Sequence, residues 1–105
     1  MNIRITALAE FDLQQGQEFY ARQGSWVLEH FMKCVKRSIA GLADYAGIHP
    51  KKFGYYKARV ERFPFSIYYD MEDGDIVVHA VLDDRFGPAR IVAHFGPEWE
   101  SEANS

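Results

Sequence analysis

The spacing of apolar residues changes once along this 105-residue chain, and that change constrains the fold more than any other feature. Between residues 7 and 46, apolar or small residues recur every three to four positions, which predicts amphipathic helices. From Tyr55 onward the spacing falls to two, which predicts strands. A helical half followed by a stranded half is typical of the α+β class, in which helices pack on one face of a small sheet.

The helical half divides into two predicted helices at Gly24. The first has its stripe of small and apolar residues at Ala9, Leu13, Gly16 and Tyr20. In the second, Ser25 is the predicted N-cap, and the apolar spacing continues to Ala46, before Gly47 and Pro50. Two sequential helices joined by a tight turn predict an antiparallel helical hairpin.

The stranded half predicts an antiparallel meander of three strands. The first has Tyr56, Ala58 and Val60 on an apolar face and Tyr55, Lys57 and Arg59 on a basic face. The second contains the alternating residues 63–69, and Asp73-Gly74 then suits a tight hairpin turn before residues 76–82. A further strand is predicted around Ile3 and Ile5, and a short carboxy-terminal helix after Gly87-Pro88. The predicted sheet therefore has four strands, is mainly antiparallel, and follows the order β-α-α-β-β-β.

Length and composition favour one domain in a reducing compartment. Residues 1–96 suffice for a single core, and residues 97–105 form a polar, acidic tail of disordered composition. Cys34 is the only cysteine, so no internal disulfide is possible. No export signal or long apolar segment is present, so a cytoplasmic location without a membrane partner is expected.

Charge is unevenly distributed, although the net charge is only −3. Residues 51–62 contain five bases and one acid, whereas residues 70–84 contain six acids and neither lysine nor arginine. The net charge argues against a general nucleic-acid binder, and the basic segment is either a target-binding surface or an ordinary solvated sheet face. The candidate target-binding residues are Lys51, Lys52, Lys57, Arg59, Arg62 and Arg85.

The four histidines form no recognisable metal-binding motif. His30, His49, His79 and His94 are 19, 30 and 15 residues apart, without a His-x-x-x-His or Cys-x-x-Cys pair. Neither a metal nor another cofactor is expected. His79 is interpreted as a half-buried side chain held by hydrogen bonds.

Two segments of the stranded half are distinctive: Arg62-Phe63-Pro64-Phe65-Ser66-Ile67-Tyr68-Tyr69 and, one hairpin later, Val81-Leu82-Asp83-Asp84-Arg85. They resemble the ParE branch of the RelE/ParE toxin superfamily, and the resemblance extends from about Ile3 to Phe95. It implies a RelE/ParE-like fold and the toxin of a type II toxin–antitoxin module, of the kind involved in plasmid stabilization. It also implies an antitoxin encoded nearby, which wraps an extended segment and an amphipathic helix around the helical hairpin and sheet. The candidate antitoxin contacts are Leu13, Gly16, Tyr20 and Trp26.

The resemblance leaves three functional hypotheses. ParE-type toxins inhibit DNA gyrase by binding, so no catalytic residue is expected under this favoured hypothesis. A RelE-type toxin instead cleaves mRNA on the ribosome, which requires a proton-transferring group, and Phe86 stands near the place of that group without being able to transfer a proton. A detoxified module that only binds antitoxin is the third, motivated by Phe86 and Asp83-Asp84. The expected site is thus a basic outer sheet face with no histidine–carboxylate pair beside Arg85.

Overall fold

The computed structural model describes residues 2–86 and 93–95. Its elements are β1 (Ile3–Ile5), α1 (Ala7–Ala21), α2 (Ser25–Tyr45), β2 (Lys51–Lys52), β3 (Tyr55–Arg59), β4 (Phe65–Glu72) and β5 (Asp75–Asp83). The α+β class is confirmed. The predicted number of four strands is wrong, because the described residues form a five-stranded sheet in the order β1-β5-β4-β3-β2.

The additional strand is β2, which pairs with β3 in antiparallel orientation. It escaped the sequence prediction because two residues are too few to show a period. The turn that joins β2 to β3 is also unusual, since Phe53 (φ 57°) and Gly54 (φ 82°) both have left-handed backbone conformations. Asparagine, aspartate or glycine would be expected at the first of these positions, so Phe53 gives no turn signal in the sequence.

The two helices form the predicted hairpin, with Gly16 of α1 packed against Phe31 of α2. Thr6 caps α1, since its hydroxyl oxygen accepts a hydrogen bond from the Ala9 amide at 3.1 Å. At the start of α2 the N-cap is Gly24 rather than the predicted Ser25. The reason is steric: the chain reverses direction within three residues, and Gly24 has φ 146° and ψ 149°, a conformation open essentially only to glycine.

Strands β3, β4 and β5 form the predicted antiparallel meander. The turn between β4 and β5 is the predicted one, with Asp73 at φ 52° and Gly74 at φ 82°, and both values match a type I′ turn. Strand β1 pairs in parallel with β5, with Ile3 opposite Ile76. The first and last strands of the described chain are therefore neighbours in the sheet.

Both faces of the sheet bear apolar side chains. The inner face, beneath α1 and α2, forms the main core, where Ile67, Ile76 and Val78 pack with Phe31 and Leu42. The outer face carries a second cluster formed by Tyr68, Ala80 and Leu82, together with the partly buried Phe53, Tyr55, Phe86 and Phe95. The outer face therefore carries an apolar cluster in addition to the basic residues that the sequence predicted there.

Residues 93–95 are helical, and they bring Phe95 onto the outer face of the sheet. The rest of the predicted helix after Gly87-Pro88, and the predicted tail at residues 97–105, lie outside the described residues. Neither α1 nor α2 has the combination of length and hydrophobicity that a bilayer crossing requires, and no other described helix has it.

Candidate functional site

A groove of about 660 Å³ lies between α1 and the end of β5. Its lining residues are Phe11, Asp12, Gln15, Gly16, Phe19, Arg22, Phe65, Val81, Leu82, Asp83, Arg85, Phe86 and His94. The α1 wall exposes two large aromatic side chains, because Phe11 is 54% and Phe19 is 40% accessible. The groove therefore combines an apolar wall with acidic and basic groups.

A buried acid and a histidine meet in this groove. Asp12 is almost fully buried, and its Oδ2 accepts a hydrogen bond from the Val81 amide at 3.0 Å. The other oxygen, Oδ1, lies 3.2 Å from His94 Nε2. Burial raises the pKa of Asp12, while the Val81 amide and His94 oppose the rise. Since Arg85 lines the same groove, the expectation of no histidine–carboxylate pair beside Arg85 is wrong.

Arg85 is held by Asp83 on the inner side of the sheet. Its Nη2 lies 2.6 Å from Asp83 Oδ2, and its Nε lies 2.9 Å from Asp83 Oδ1. These hydrogen bonds hold the pKa of Asp83 below its usual value. The guanidinium carbon is 5.9 Å from the centre of the Phe19 ring. Arg85 is therefore positioned as a part of the groove wall.

Lys57 and Arg59 project from the outer face of β3, as predicted. Lys57 Nζ and Arg59 Nη2 each lie 3.7 Å from a carboxylate oxygen of Asp84. Asp84 is fixed in turn, because its Oδ1 accepts a hydrogen bond from the Ser66 hydroxyl at 2.6 Å. One carboxylate thus offsets part of the charge of the two bases, and the outer face is less basic than the sequence suggested.

The other three candidate bases lie elsewhere. Lys51 and Lys52 occupy the exposed edge strand β2, where their amines lie over the Tyr56 and Phe53 rings at 4.8 and 5.4 Å. Arg62, in the turn between β3 and β4, has its Nε 3.3 Å from Glu61 Oε1. The six predicted bases are therefore distributed over the β2 edge, the outer face, a turn and the groove.

The candidate antitoxin contacts differ in their accessibility. Trp26 is exposed, with 71% of its surface accessible. Gly16 and Tyr20 are buried, and Leu13 is half-buried against the core. Regular helical spacing identified the inward stripe of α1, and that stripe packs on α2 and the sheet. Gly16 reaches the groove, but the exposed aromatic side chains beside it are Phe11 and Phe19.

Tyr68 lies at the centre of the outer cluster and is fully buried. Burial, together with the nearby Asp84 carboxylate, raises the pKa of Tyr68 to about 12. Tyr68 therefore stays protonated at neutral pH and packs the outer face as a neutral side chain.

A group that the sequence did not indicate lies near the β4–β5 hairpin. His79 Nε2 is 3.0 Å from Asp70 Oδ1 and 3.4 Å from Glu72 Oε2. The histidine spacing that argued against a metal site says nothing about carboxylates on the neighbouring strand. The sequence did contain a signal for the two acids. Asp70 and Glu72 alternate with Met71 just before the Asp73-Gly74 turn, which predicts that both face the same side of the hairpin as residues of β5.

No protein-family profile matches this chain, and no curated protein has a significantly similar sequence.

Proposed function

We propose that this chain is the toxin of a type II toxin–antitoxin module, ParE-like in its action, which binds DNA gyrase in the cytoplasm and inhibits it. Two observations support the proposal. One is the resemblance of residues 62–69 and 81–85 to that family. The other is the order of elements, in which a helical hairpin covers one face of an antiparallel meander, as that resemblance implies.

The groove between α1 and β5 is the proposed antitoxin site, and this feature carries the proposal furthest. Phe11 and Phe19 expose apolar surface along one side of α1, and Arg22 and Arg85 stand beside them. An amphipathic helix recognises its partner by placing apolar side chains in such a groove. Acidic groups on the rim of that helix would complement the two arginines.

The proposed target contacts lie outside the groove, on the part of the sheet that the extended segment of the antitoxin is expected to cover. Lys51 and Lys52 are exposed on the sheet edge, and Arg59 is largely exposed beside Lys57. A binding inhibitor needs charge complementarity and contact area, so it requires no arrangement of proton-transferring groups. Asp84 offsets part of the charge of Lys57 and Arg59, so Lys51 and Lys52 are the stronger candidates for target contacts.

The test combines growth, enzyme inhibition and antitoxin rescue. Induced expression should arrest growth, and the purified chain should inhibit supercoiling by gyrase. Coexpression with the adjacent antitoxin gene should restore growth. Phe19→Glu should remain toxic but escape rescue, because it puts a charge in the groove, whereas the matched control Tyr45→Glu, on an exposed aromatic outside it, should be rescued. Unchanged growth together with full supercoiling would contradict the proposal.

The Asp12–His94 pair favours a second candidate, a RelE-like ribosome-dependent endoribonuclease. A histidine beside a carboxylate can move a proton, and Arg85 in the same groove can stabilise phosphate charge. Under this hypothesis induction cuts translated mRNA, and His94→Gln abolishes the cuts while leaving the fold intact. Intact transcripts during growth arrest would exclude it. An absence of growth arrest would instead support the detoxified, antitoxin-binding module.

A further inference from the structure

Three side chains with metal-binding atoms converge on the outer face of the sheet. Asp70 and Glu72 are two residues apart in β4, so both side chains leave the same face. His79 approaches them from β5, and one ligand atom from each of the three lies within 4.8 Å of the others. None of the three residues belongs to the groove lining, to β2, or to the ion pairs of Asp84 with Lys57 and Arg59.

An irregularity in strand pairing aims His79 at the two acids. Tyr68 pairs with Ala80, and Tyr69 pairs with Val78, so His79 is an extra residue between two paired positions. Such a β-bulge redirects the side chain of the extra residue and is a common feature next to binding sites. The Thr6 hydroxyl donates to the His79 carbonyl oxygen at 3.4 Å. The Tyr55 ring, 4.8 Å away between ring centres, covers the imidazole.

The contact between His79 and Asp70 is short, yet it is not a well-formed hydrogen bond. His79 Nε2 and Asp70 Oδ1 are 3.0 Å apart and shielded from solvent, but neither atom has a hydrogen bond of acceptable geometry within the described residues. Burying two polar atoms without a hydrogen-bond partner destabilises the folded state. A ligand that both atoms contact would remove that destabilisation. Ligands that neighbour each other around one ion, at bond lengths of about 2.0–2.1 Å, are separated by about 3.0–3.4 Å. The distances at His79 match that spacing.

We propose that Asp70, Glu72 and His79 bind one divalent first-row transition metal ion, with Zn²⁺ as the representative. One imidazole nitrogen and two carboxylate oxygens suit Zn²⁺ or Mn²⁺ and disfavour the soft ions that prefer sulfur. Two carboxylates and a neutral imidazole balance the charge of the ion. Arg4, on the neighbouring strand β1, has its Nε 3.7 Å from Asp75 Oδ2 and contributes to a different ion pair.

The ion would join β4 to β5 beyond the bulge and close to the hairpin turn. Glu72 is the most accessible of the three side chains, at 47%, and can swing outward to admit the ion. Because the unfolded chain does not hold these residues together, an ion bound to the folded state stabilises that state by mass action. Water would complete the coordination on the solvent side.

The test is titration of the full chain, stripped of metal with EDTA, with Zn²⁺ as the probe and Mg²⁺ as the comparison. We expect one Zn²⁺ per chain by calorimetry and a higher Tm with Zn²⁺ than with Mg²⁺. Asp70→Asn and His79→Gln should each raise the Kd for Zn²⁺ by about tenfold or more. The matched controls Asp73→Asn, on an exposed acid of the same hairpin, and His30→Gln, on an exposed histidine of α2, should leave the Kd unchanged.

A fold check accompanies each variant, namely the far-UV circular dichroism and the Tm in EDTA. Should His79→Gln fail to fold, Glu72→Gln replaces it, since Glu72 is exposed. The proposal is overturned if the chain shows no saturable 1:1 binding, or if folded variants at these positions bind Zn²⁺ as the controls do. Toxicity is not a readout, so failure of the toxin proposal would not affect this result.

Discussion

Gly16 lies where α1 packs against Phe31 of α2. A Cβ atom placed there would lie 2.8 Å from Phe31 Cζ. The Phe31 ring cannot easily move, because the rings of Tyr20, Phe63 and Phe65 surround it at centroid distances of 4.8 to 5.2 Å. Overpacking costs about 1–3 kcal/mol. We therefore expect Gly16→Ala to lower the free energy of unfolding in urea, despite a gain in helix propensity of about 1 kcal/mol.

Gly41 provides the matched control for this substitution. It also lies in a helix, and no described atom beyond its chain neighbours and the backbone of its own helix is within 4 Å of a Cβ placed on it. Gly41→Ala should therefore show only the propensity effect, a stabilisation of about 0.5–1 kcal/mol. Equal stabilisation by both substitutions would show that the contact with Phe31 does not limit the size of residue 16.

Asp12 stabilises the fold through one hydrogen bond at a cost in desolvation. Asp12→Ala leaves the buried Val81 amide without its acceptor, so we expect a loss of about 1–3 kcal/mol. Asp12→Asn keeps an acceptor oxygen and should lose less at neutral pH. Urea denaturation of both variants at one pH measures the difference, and equal losses would argue against the hydrogen bond as the cause.

The contribution of the Asp12 carboxyl to the free energy of unfolding also depends on pH. Because its pKa is raised in the folded state, the folded chain holds more protons than the unfolded chain above about pH 4. Its contribution to the free energy of unfolding is therefore fully present at low pH and falls as the pH rises through the folded pKa. Asp12→Asn should remove this component from the pH profile of unfolding.

Asp83 has the opposite pH dependence. Arg85 lowers its pKa in the folded state, so its stabilisation is present above the unfolded value of about 4 and is lost as the pH falls through the folded pKa. Arg85 is 58% exposed, and solvent screening limits the effect to about 0.5–1 kcal/mol. Asp83→Asn should destabilise the protein at pH 7 by this amount, and strong acid should abolish the difference in urea midpoint.

At the scale of elements, the β4–β5 hairpin depends on its turn. Gly74 has φ 82°, a left-handed conformation that costs a residue with a Cβ about 1–2 kcal/mol. Gly74→Ala should lower the free energy of unfolding by that amount in a urea titration. Among the described residues, no atom beyond the two chain neighbours lies within 4 Å of the added Cβ, so a loss would come from backbone strain and not from a clash. Asp73→Asn, which keeps a residue suited to its position, should be nearly neutral.

The two hairpin turns also show how far local sequence signals reach. Asp73-Gly74 has the residues that a type I′ turn requires, so both flanking strands were predicted from sequence. Phe53-Gly54 has a similar backbone conformation with an aromatic residue at the first position, and β2 was missed. Partial burial of the Phe53 ring in the outer cluster offsets the unfavourable backbone conformation. That compensation depends on distant residues and leaves no local pattern.

The candidate sites show the same limit. A local sequence pattern predicts on which side of a strand a residue lies, but it does not predict contacts between distant segments. Alternation in β3 correctly placed Lys57 and Arg59 on the outer face, because a period of two fixes the side of a strand. The bulge at His79 breaks that period, so its approach to Asp70 could not be derived from alternation. The Asp12 contacts join residues that are 69 positions apart through the packing of α1 on β5, which no spacing rule encodes.

For the whole molecule, β1 protects one edge of β5, a largely buried strand. Most of β5 is buried, and without β1 it would become an unpaired edge. We expect deletion of residues 2–5 to lower the urea midpoint and to cause self-association, which size-exclusion chromatography would detect. Arg4→Ala keeps the strand and removes only an exposed ion pair, so it should change stability by no more than about 0.5 kcal/mol. A truncated chain that stayed monomeric and equally stable would contradict this role.

The parallel pairing of β1 with β5 has a consequence for synthesis. Strand β1 is made before both helices, but its partner is among the last described segments to be made. The nascent chain can form α1 and α2 early, since their contacts are local, but the sheet cannot be completed until β5 has emerged. Throughout that interval the inner face lacks Ile76 and Val78 of β5, so a newly made chain has the helical hairpin before it has the finished groove.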